Sequence, residues 1–278
     1  MNYCDLHTHS DHSDGTCTPT EVIKLAKEAG LSAVALCDHN TVSGLSEFLA
    51  APQDIEAIPG TEFSTDYKGT ELHILALYIK PDDYDAVTAR AEKYLIDKEQ
   101  SNIDLCAALT EAGYPLSYEK IKAATTDGFV NRAVIAAEMV RLGYIESVQQ
   151  GFKTILSQKH GYYNPPVRPD AFEIIRFIKS IGAVAVLAHP FLNLKREELE
   201  VFLPLAVKAG LDAMEVLYSK YTPEETADSF ELIEKYGLLP SGGSDFHGQN
   251  KPDIAVGTGR GDLKIPYTWI QQIKLKKT

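Results

Sequence analysis

The sequence lacks the segments that would direct a protein into or across a membrane. No stretch reaches the roughly 18 apolar residues that a membrane-spanning helix needs. The N-terminus has no basic segment followed by an apolar run, which is the pattern of a secretory signal. We therefore expect a cytoplasmic protein with no membrane partner.

Cysteine is also scarce, with four residues (Cys4, Cys17, Cys37 and Cys106) and no Cys-x-x-Cys pair. This excludes a small scaffold held together by disulfides. The four cysteines lie in apolar or helical stretches. We therefore expect free, buried thiols and a reducing compartment.

Positive charge is in deficit, because 27 Lys and Arg residues oppose 39 Asp and Glu residues and leave a net charge of −12. A field of this sign repels polyanions, so we expect no binding to long nucleic acid. A small anionic substrate is still compatible with the sequence, since a few local cations can reverse the sign inside one cleft. The oligomeric state is left open.

Short apolar runs alternate with amphipathic helical segments, which is typical of βα units around a mostly parallel sheet. Two helix starts carry a capping box, in the segments Thr18-Pro19-Thr20-Glu21 and Thr222-Pro223-Glu224-Glu225. Further helices are predicted over 171–181, 195–208 and 223–236. The predicted strands are 3–6, 31–37, 55–63, 71–79, 183–188, 211–217 and 238–242.

Residues 82–169 interrupt this alternation. These 88 residues contain helical patterns, including 84–112 and 131–142, but no strand-like run. We predict that they form a helical insertion in a barrel built from 1–81 and 170–278. About 190 residues then remain for seven strands, which is short for an eight-fold barrel. The predicted fold class is therefore α/β, with a smaller or distorted barrel.

Six of the eight histidines end a predicted strand, follow one directly or lie within one. Three acidic residues accompany them: Asp14 in Ser-Asp-Gly, Glu62 in Gly-Thr-Glu-Phe-Ser, and Asp245 two residues before a histidine. We interpret the other two histidines, His12 and His160, as a loop residue and a surface residue. The six are His7, His9, His39, His73, His189 and His247.

In a parallel α/β fold the carboxyl ends of the strands share one face, so these side chains can converge there. His7 and His9 are two residues apart on an extended chain and point the same way. Imidazole and carboxylate without thiolate suit Mn²⁺, Zn²⁺ or Fe²⁺, with Mg²⁺ as a further candidate. Nine ligands exceed the four to six or so that one ion takes, so we expect two or three ions, with Glu62 as a bridge.

Each of these residues also has an ordinary structural explanation. A single histidine after a strand can be a core or capping residue. Asp14 before Gly15 can be a turn residue, and Asp245 can cap the segment after Gly243. The metal hypothesis depends on the whole set meeting at one place.

The motifs around these residues closely resemble those of the PHP superfamily (polymerase and histidinol phosphatase). They cover both sides of the predicted insertion. The matching segments are Asp-Leu-His-Thr-His-Ser-Asp-His-Ser-Asp-Gly (5–15), Cys-Asp-His-Asn-Thr (37–41), Gly-Thr-Glu-Phe-Ser (60–64), Glu-Leu-His-Ile-Leu (71–75), Ala-His-Pro (188–190) and Gly-Gly-Ser-Asp-Phe-His (242–247).

This resemblance implies a distorted (β/α)7 barrel, a trinuclear metal site and phosphoesterase activity. The chain departs from many members at Asn40, where they have Asp; this weakens an acid role at position 40 but removes no implied ligand. The implied ligands are His7, His9, Glu62 and Asp245 for one ion, Glu62, His73 and His189 for a second, and Asp14, His39 and His247 for a third.

Within the superfamily, the chain resembles stand-alone members with a helical insertion. These act on nucleotides that carry 3′- and 5′-phosphates or on the 5′ ends of short oligonucleotides. The segment Phe129-Val130-Asn131-Arg132 is similar to the phosphate-binding arginine segment of that subgroup. The candidate substrate contacts are Asn131, Arg132, Lys159, Tyr163 and Arg168. Arg132 can also be a solvated residue at a helix start, and Tyr162 and Tyr163 can be packing residues.

The leading hypothesis is a metal-dependent phosphatase or 5′-to-3′ exonuclease in which metal-bound hydroxide attacks phosphorus. Arg132 would hold phosphate oxygens, and His189 or His247 would protonate the leaving oxygen. The alternatives are a histidinol-phosphate phosphatase, a non-catalytic metal-binding module and an amidohydrolase. The Ser-Asp-Gly segment argues against the first, the complete ligand set against the second, and the lack of a lysine beside the histidines against the third.

The proposed role of Arg132 predicts that Arg132→Ala raises KM for a nucleotide bisphosphate more than for a monophosphate. The planar guanidinium suits a second phosphate, which the monophosphate lacks. Steady-state kinetics on both substrates measure the difference. Equal effects on the two substrates would remove Arg132 from phosphate recognition.

Overall fold

A computed structural model of the chain describes residues 2–51, 54–125 and 130–277. The chain divides into two compact units, one formed by Met1–Ala91 with Arg168–Thr278 and the other by Glu92–Val167. The second unit is 12 residues shorter than the predicted insertion of 88 residues. Phe129 of the predicted phosphate-binding segment lies outside the described residues.

The first unit contains eight described strands in one sheet. Their order in space is β7-β6-β5-β4-β3-β2-β1-β8. In chain order they are β1 (Tyr3–Thr8), β2 (Ala33–Leu36), β3 (Glu56–Tyr67), β4 (Thr70–Leu77), β5 (Val184–Ala188), β6 (Ala213–Tyr218), β7 (Leu239–Gly243) and β8 (Ile265–Pro266).

The sheet curves round until its two sides meet. The segment after β7 reaches β1, where the Asp245 amide donates to the His7 carbonyl at 2.8 Å and the His9 amide donates to the Phe246 carbonyl at 2.9 Å. The predicted fold class, an α/β distorted barrel with seven main strands and a helical insertion, is confirmed. The two-residue strand β8 was not predicted; it pairs antiparallel with β1.

One of the seven main strands runs against the others. β4 is antiparallel to both β3 and β5, a reversal that the predicted, mostly parallel sheet did not specify. The cause is a tight turn at Lys68 and Gly69, which have φ of 52° and 83°. Two consecutive positive φ values match the twist of a two-residue hairpin, so β3 returns directly as β4.

The described helices agree with the predicted ones, apart from the short α2 and the terminal α10, which were missed, and α4 and α6, which lie in the predicted helical insertion but had no predicted bounds. Both capping boxes are confirmed: the Glu21 amide donates to Thr18 Oγ1 at 3.2 Å, and the Glu225 amide to Thr222 Oγ1 at 3.1 Å. The helices are α1 (Pro19–Glu28), α2 (Leu45–Ala50), α3 (Tyr84–Glu111), α4 (Tyr118–Ala124), α5 (Arg132–Arg141), α6 (Val148–Lys153), α7 (Ala171–Ser180), α8 (Arg196–Ala209), α9 (Pro223–Tyr236) and α10 (Thr268–Lys274).

Each unit has its own apolar core. In the barrel unit, strand residues such as Ile58, Leu75 and Val186 are fully buried, and in the helical unit Leu109 and Ile135 are fully buried. Each core can therefore support the unit that contains it. In the described part of the chain, no helix is long and apolar enough to cross a membrane.

All four cysteines are free thiols, as predicted. Cys4, Cys37 and Cys106 are buried. The prediction was wrong for Cys17, which is only partly buried because it lies in the loop before α1 and not in an apolar strand.

The meeting of β7 and β1 depends on a glycine. A Cβ added at Gly243 would lie 2.1 Å from the Cβ of His7 and 2.7 Å from the His7 amide nitrogen. Gly243→Ala is therefore expected to lower the free energy of unfolding by about 2 kcal/mol or more, because the barrel must open to admit the methyl group. Chemical denaturation measures this change.

The control is Ser241→Ala in the same strand. The Ser241 hydroxyl is buried with no hydrogen-bond partner among the described residues, so its removal should cost nothing. Equal unfolding free energies for Gly243→Ala and Ser241→Ala would contradict the proposed close approach.

Candidate metal centre

A buried carboxylate lies among five imidazole rings at one end of the barrel. Glu62 on β3 is fully buried. Its Oε1 lies 2.8 Å from His73 Nδ1 and 3.0 Å from His189 Nε2. Its Oε2 lies 3.2 Å from His7 Nε2, 3.3 Å from His9 Nε2 and 3.2 Å from His39 Nδ1.

The rings arrive from different strands. His7 is on β1, His39 follows β2, and His189 follows β5, so their strands deliver them at the carboxyl ends. His73 reaches the same place from the first half of β4, where it pairs with Ala188 of β5. The reversed direction of β4 is what places its amino half at this end of the barrel.

The remaining three predicted ligands lie against the same rings. Asp14 Oδ1 is 3.1 Å from His247 Nε2 and 3.7 Å from His39 Nε2. Asp245 Oδ1 is 3.4 Å from His9 Nε2. All nine residues predicted as metal ligands thus meet in one cluster within the barrel unit.

Several atoms of this cluster are buried without a hydrogen-bond partner among the described residues. Such atoms are costly unless something binds them. Imidazole nitrogens and carboxylate oxygens suit a borderline divalent ion, so the donor set fits metal binding. The atoms are His7 Nε2, both ring nitrogens of His9, His39 Nδ1 and Glu62 Oε2.

The geometry groups these donors in three sets within the described residues. In each set one ligand atom per residue lies within 4.8 Å of the others. Two of the sets differ from those that the resemblance implied. The set with Asp14 also contains His9, and the set with Glu62 and His73 contains His39 in place of His189. The sets are His9, Asp14, His39 and His247; His7, His9 and Glu62; and His39, Glu62 and His73.

Charge inside the cluster is balanced by protons and carboxylates. Burial alone would raise the pKa of Glu62, but the neighbouring imidazoles hold it well below its usual range. Burial opposes a charge on His9, yet the carboxylates of Asp245 and Glu62 beside its Nε2 raise its pKa to about 9. Burial lowers the pKa of His39 to about 3. A divalent ion that binds His9 must therefore displace a proton.

A second buried carboxylate, which the sequence analysis missed, supports the cluster from behind. Glu215 on β6 is fully buried. Its Oε1 accepts from His7 Nδ1 at 3.0 Å, and its Oε2 accepts from the His189 amide at 2.6 Å. The first contact fixes the His7 tautomer so that Nε2 faces Glu62. The second holds His189 at a φ of 28°, which is a strained backbone for a histidine.

Two further missed acids position the loops of the site. Asp38 accepts from the Ser10 amide at 2.8 Å and from the Ser10 and Ser13 hydroxyls, so it fixes the loop that carries Asp14. Asp5 accepts from the Ser244 amide at 2.9 Å and so fixes the segment before Asp245.

Asp245 has partners on both of its oxygens. Its Oδ2 accepts from the Tyr218 hydroxyl at 2.7 Å and from Lys251 Nζ at 2.6 Å, which leaves Oδ1 directed at the histidines. The residue after His39, Asn40, has a φ of 55° and bonds Ser64 through both atoms of its amide. Asn40 thus joins the loop after β2 to β3, which is a structural role.

Three predicted substrate contacts lie together in the helical unit. The Arg132 guanidinium lies 4.0 Å from the centre of the Tyr163 ring and 5.2 Å from that of Phe152. Tyr163 is buried in the core of this unit. Asn131 caps α5 by accepting from the Val134 amide at 3.0 Å. Stacking on two rings therefore fixes the plane of the guanidinium.

The other candidates differ in setting. Arg168 in the barrel unit donates to Glu71 Oε2 at 2.6 Å, and Glu71 Oε1 lies 3.3 Å from His73 Nε2. Arg168 thus reaches the metal cluster through Glu71. Lys159 is exposed in the turn Gln158–His160. His12 bonds Ser43 outside the cluster, as expected for a loop residue.

An α/β barrel with a histidine- and carboxylate-rich cluster at one end defines a class of metal-binding barrels. Comparison with known proteins gives the family: the chain matches the PHP domain model over residues 5–163. A Haemophilus influenzae protein named 5′-3′ exoribonuclease is 31% identical over 246 residues, which cover 87% of this chain and 89% of that protein. The chain belongs to the PHP domain family, and the resemblance predicted from its motifs is confirmed.

Two further comparisons agree with this assignment. A Chromobacterium violaceum protein named 3′,5′-nucleoside bisphosphate phosphatase is 27% identical over 261 residues, covering 92% of this chain and 91% of that protein. A solved structure from Bifidobacterium adolescentis, provisionally described as a metal-dependent phosphoesterase, has a TM-score of 0.85 and 26% identity. It covers 100% of this chain and 97% of its own.

Glu215→Gln tests the support behind the cluster. The amide keeps the size of the side chain but removes its charge. Its NH₂ group would face one of the two donors that Glu215 now accepts from, His7 Nδ1 or the His189 amide, so one hydrogen bond would be lost. We expect an affinity for Mn²⁺ or Zn²⁺ that is about 10- to 100-fold lower. Titration calorimetry of the chelator-treated protein measures this affinity. An unchanged affinity would mean that Glu215 serves only to pack the barrel.

Proposed function

We propose that this protein is a metal-dependent phosphoesterase that hydrolyses phosphate esters of 3′,5′-bisphosphate nucleotides or of the 5′ ends of short oligonucleotides, in the latter case as a 5′-to-3′ exonuclease. The observation that carries the proposal is the convergence of five imidazoles on Glu62 with buried donor atoms that lack partners. The two named relatives support the substrate class, since one is named an exoribonuclease and the other a nucleoside bisphosphate phosphatase.

The nine cluster residues would hold two or three divalent ions, with Mn²⁺, Zn²⁺ or Fe²⁺ preferred and Mg²⁺ as a further candidate. Such ions supply an activated water and neutralise charge on the phosphate. Glu62 is suited to bridge two of them, because Oε1 faces His73 and His189 while Oε2 faces the rings of His7, His9 and His39.

Charge also favours a phosphate substrate. The ligand set contains the three carboxylates of Asp14, Glu62 and Asp245, and Lys251 already neutralises part of the last. Two divalent ions would therefore leave the cluster positive, and three would make it more so. A positive cleft attracts phosphate even though the whole chain has a net charge of −12.

The leaving oxygen needs a proton, and the proposed donors are His189 and His247. The Asp245 carbonyl accepts from His247 Nδ1 at 2.9 Å, which directs His247 Nε2 at Asp14. His189 Nε2 lies beside Glu62. In both rings Nε2 therefore faces the carboxylates of the cluster.

The second phosphate of a bisphosphate is assigned to Arg132, with Asn131, Lys159, Tyr163 and Arg168 as further proposed contacts. The Tyr163 ring lies under the face of the Arg132 guanidinium, and Nη1 donates to the Leu156 carbonyl at 3.4 Å, so the proposed phosphate contacts are made by the remaining edge. Arg168 would act through Glu71, by fixing the ring of His73. A cytoplasmic location is supported by the four free thiols.

The function is tested by measuring phosphate release with Mn²⁺ from a 3′,5′-bisphosphate nucleotide and from histidinol phosphate. We expect kcat/KM for the nucleotide to be at least about a hundredfold higher than kcat/KM for histidinol phosphate. This ratio corresponds to a difference of roughly 2.7 kcal/mol in transition-state binding. Chelation should abolish release. Faster release from histidinol phosphate would favour that alternative, and no release from either substrate with metal bound would favour a non-catalytic module.

Two variants link the activity to the cluster. Glu62→Gln should lower kcat/KM by more than about a hundredfold, because losing a direct ligand costs more than losing a supporting group. His12→Gln is the matched control, since His12 lies near the site and, among the described residues, makes its hydrogen bonds to Ser43 and Ser10. Equal losses of kcat/KM in the two variants would mean that the activity does not depend on the cluster. Elemental analysis of protein purified without chelator gives the number of ions.

A further inference from the structure

A groove of about 710 Å³ lies on the rim of the barrel unit, outside the metal cluster. The loop after β6 forms one wall, and the segment before β8 forms the other. This volume falls within the range of about 300–1,000 Å³ that holds small ligands. Among the lining residues are Tyr218, Ser219, Lys220, Tyr221, Arg260 and Lys264.

The groove is positive on an acidic protein. Lys220, Arg260 and Lys264 line it against a single acid, Asp262. Arg260 is paired with Asp253 at 2.8 Å. Lys220 and Lys264 are exposed, and in the described part of the chain neither has a carboxylate within the 4.0 Å of an ion pair. Two cations are thus available to an anion.

The groove begins at the wall of the metal cluster. Tyr218 lines it, while the Tyr218 hydroxyl donates to Asp245 Oδ2 and its ring centre lies 5.2 Å from that of His189. Lys251 donates to the same Asp245 oxygen.

The walls of the groove are fixed. The Ser219 hydroxyl donates to the Ser244 carbonyl at 2.7 Å, which ties the loop after β6 to the segment that carries Asp245. Across from it, Gly259 has a φ of 56°, and a Cβ there would lie 2.5 Å from Ser219 Oγ. The two walls therefore approach each other closely at the base, and the groove exists before any ligand binds.

We propose that this groove binds the phosphodiester backbone of a short oligonucleotide whose 5′ end lies at the metal cluster. The inference rests on the proposed function and assigns the surface that holds an oligonucleotide substrate beyond its 5′ end. Lys220 and Lys264 contact backbone phosphates downstream of the 5′ end. A mononucleotide bisphosphate is too short to use these contacts.

The test is a double charge reversal, Lys220→Glu with Lys264→Glu. The matched control is Lys208→Glu with Lys276→Glu, two exposed lysines away from the groove, which changes the net charge equally. Two readouts are made: KM for a 5′-phosphorylated RNA of five nucleotides and for a 3′,5′-bisphosphate nucleotide, and anisotropy of the fluorescent RNA bound in chelator, where no hydrolysis occurs.

The groove variant is expected to raise KM for the RNA about tenfold, to weaken RNA binding similarly and to flatten its salt dependence, since two phosphate contacts are lost. KM for the bisphosphate should stay within about twofold. An unchanged RNA affinity, or an equal loss in the control, would overturn the groove proposal while leaving the phosphoesterase proposal intact. If the unmodified protein hydrolyses neither substrate, the proposed function fails, and anisotropy still decides whether the groove binds RNA.

Discussion

The site depends on keeping one carboxylate charged where water cannot reach it. Glu62 is fully buried, and an isolated charge in such a place would be expensive. Five imidazoles, delivered by β1, β2, β4 and β5, surround it within 3.3 Å. Removing any of those strands would leave the charge partly uncompensated, so the chemistry of the cluster and the closure of the barrel constrain each other.

Buried carboxylates also lie behind the cluster, and hydrogen bonds compensate their charge as well. Glu215, Asp38 and Asp5 are all buried acids, and each accepts at least one backbone amide as well as further donors. A hydrogen bond from the main chain fixes a loop, whereas one from a side chain fixes only a rotamer. Three carboxylates therefore set the backbone of the segments that carry Asp14, His189 and Asp245, which is where preorganisation matters for binding an ion.

Much of this could be read from the sequence because the signals are local. Capping boxes at Thr18 and Thr222, apolar runs of strand length and histidines at strand ends depend on neighbours in the chain. The direction of β4 was missed because Lys68-Gly69 is a weak turn signal beside a strong apolar run. Glu215 was missed because a single acid in Ala213–Tyr218 has no local signature: its partners are 208 and 26 residues away. The partial exposure of Cys17 depends on the conformation of the loop before α1, which a periodic pattern of apolar residues does not predict.

The way in which the barrel closes has a consequence for its stability. β7, the last main strand, does not pair with β1 along its length. Instead, two backbone bonds at Asp245 and Phe246 join them beside the cluster, and Gly243 packs on His7. An ion held jointly by His7, His9 and Asp245 would act as a clasp across this seam. Loss of the ion and separation of β7 from β1 would then tend to occur together. The melting temperature would therefore rise with the concentration of available metal.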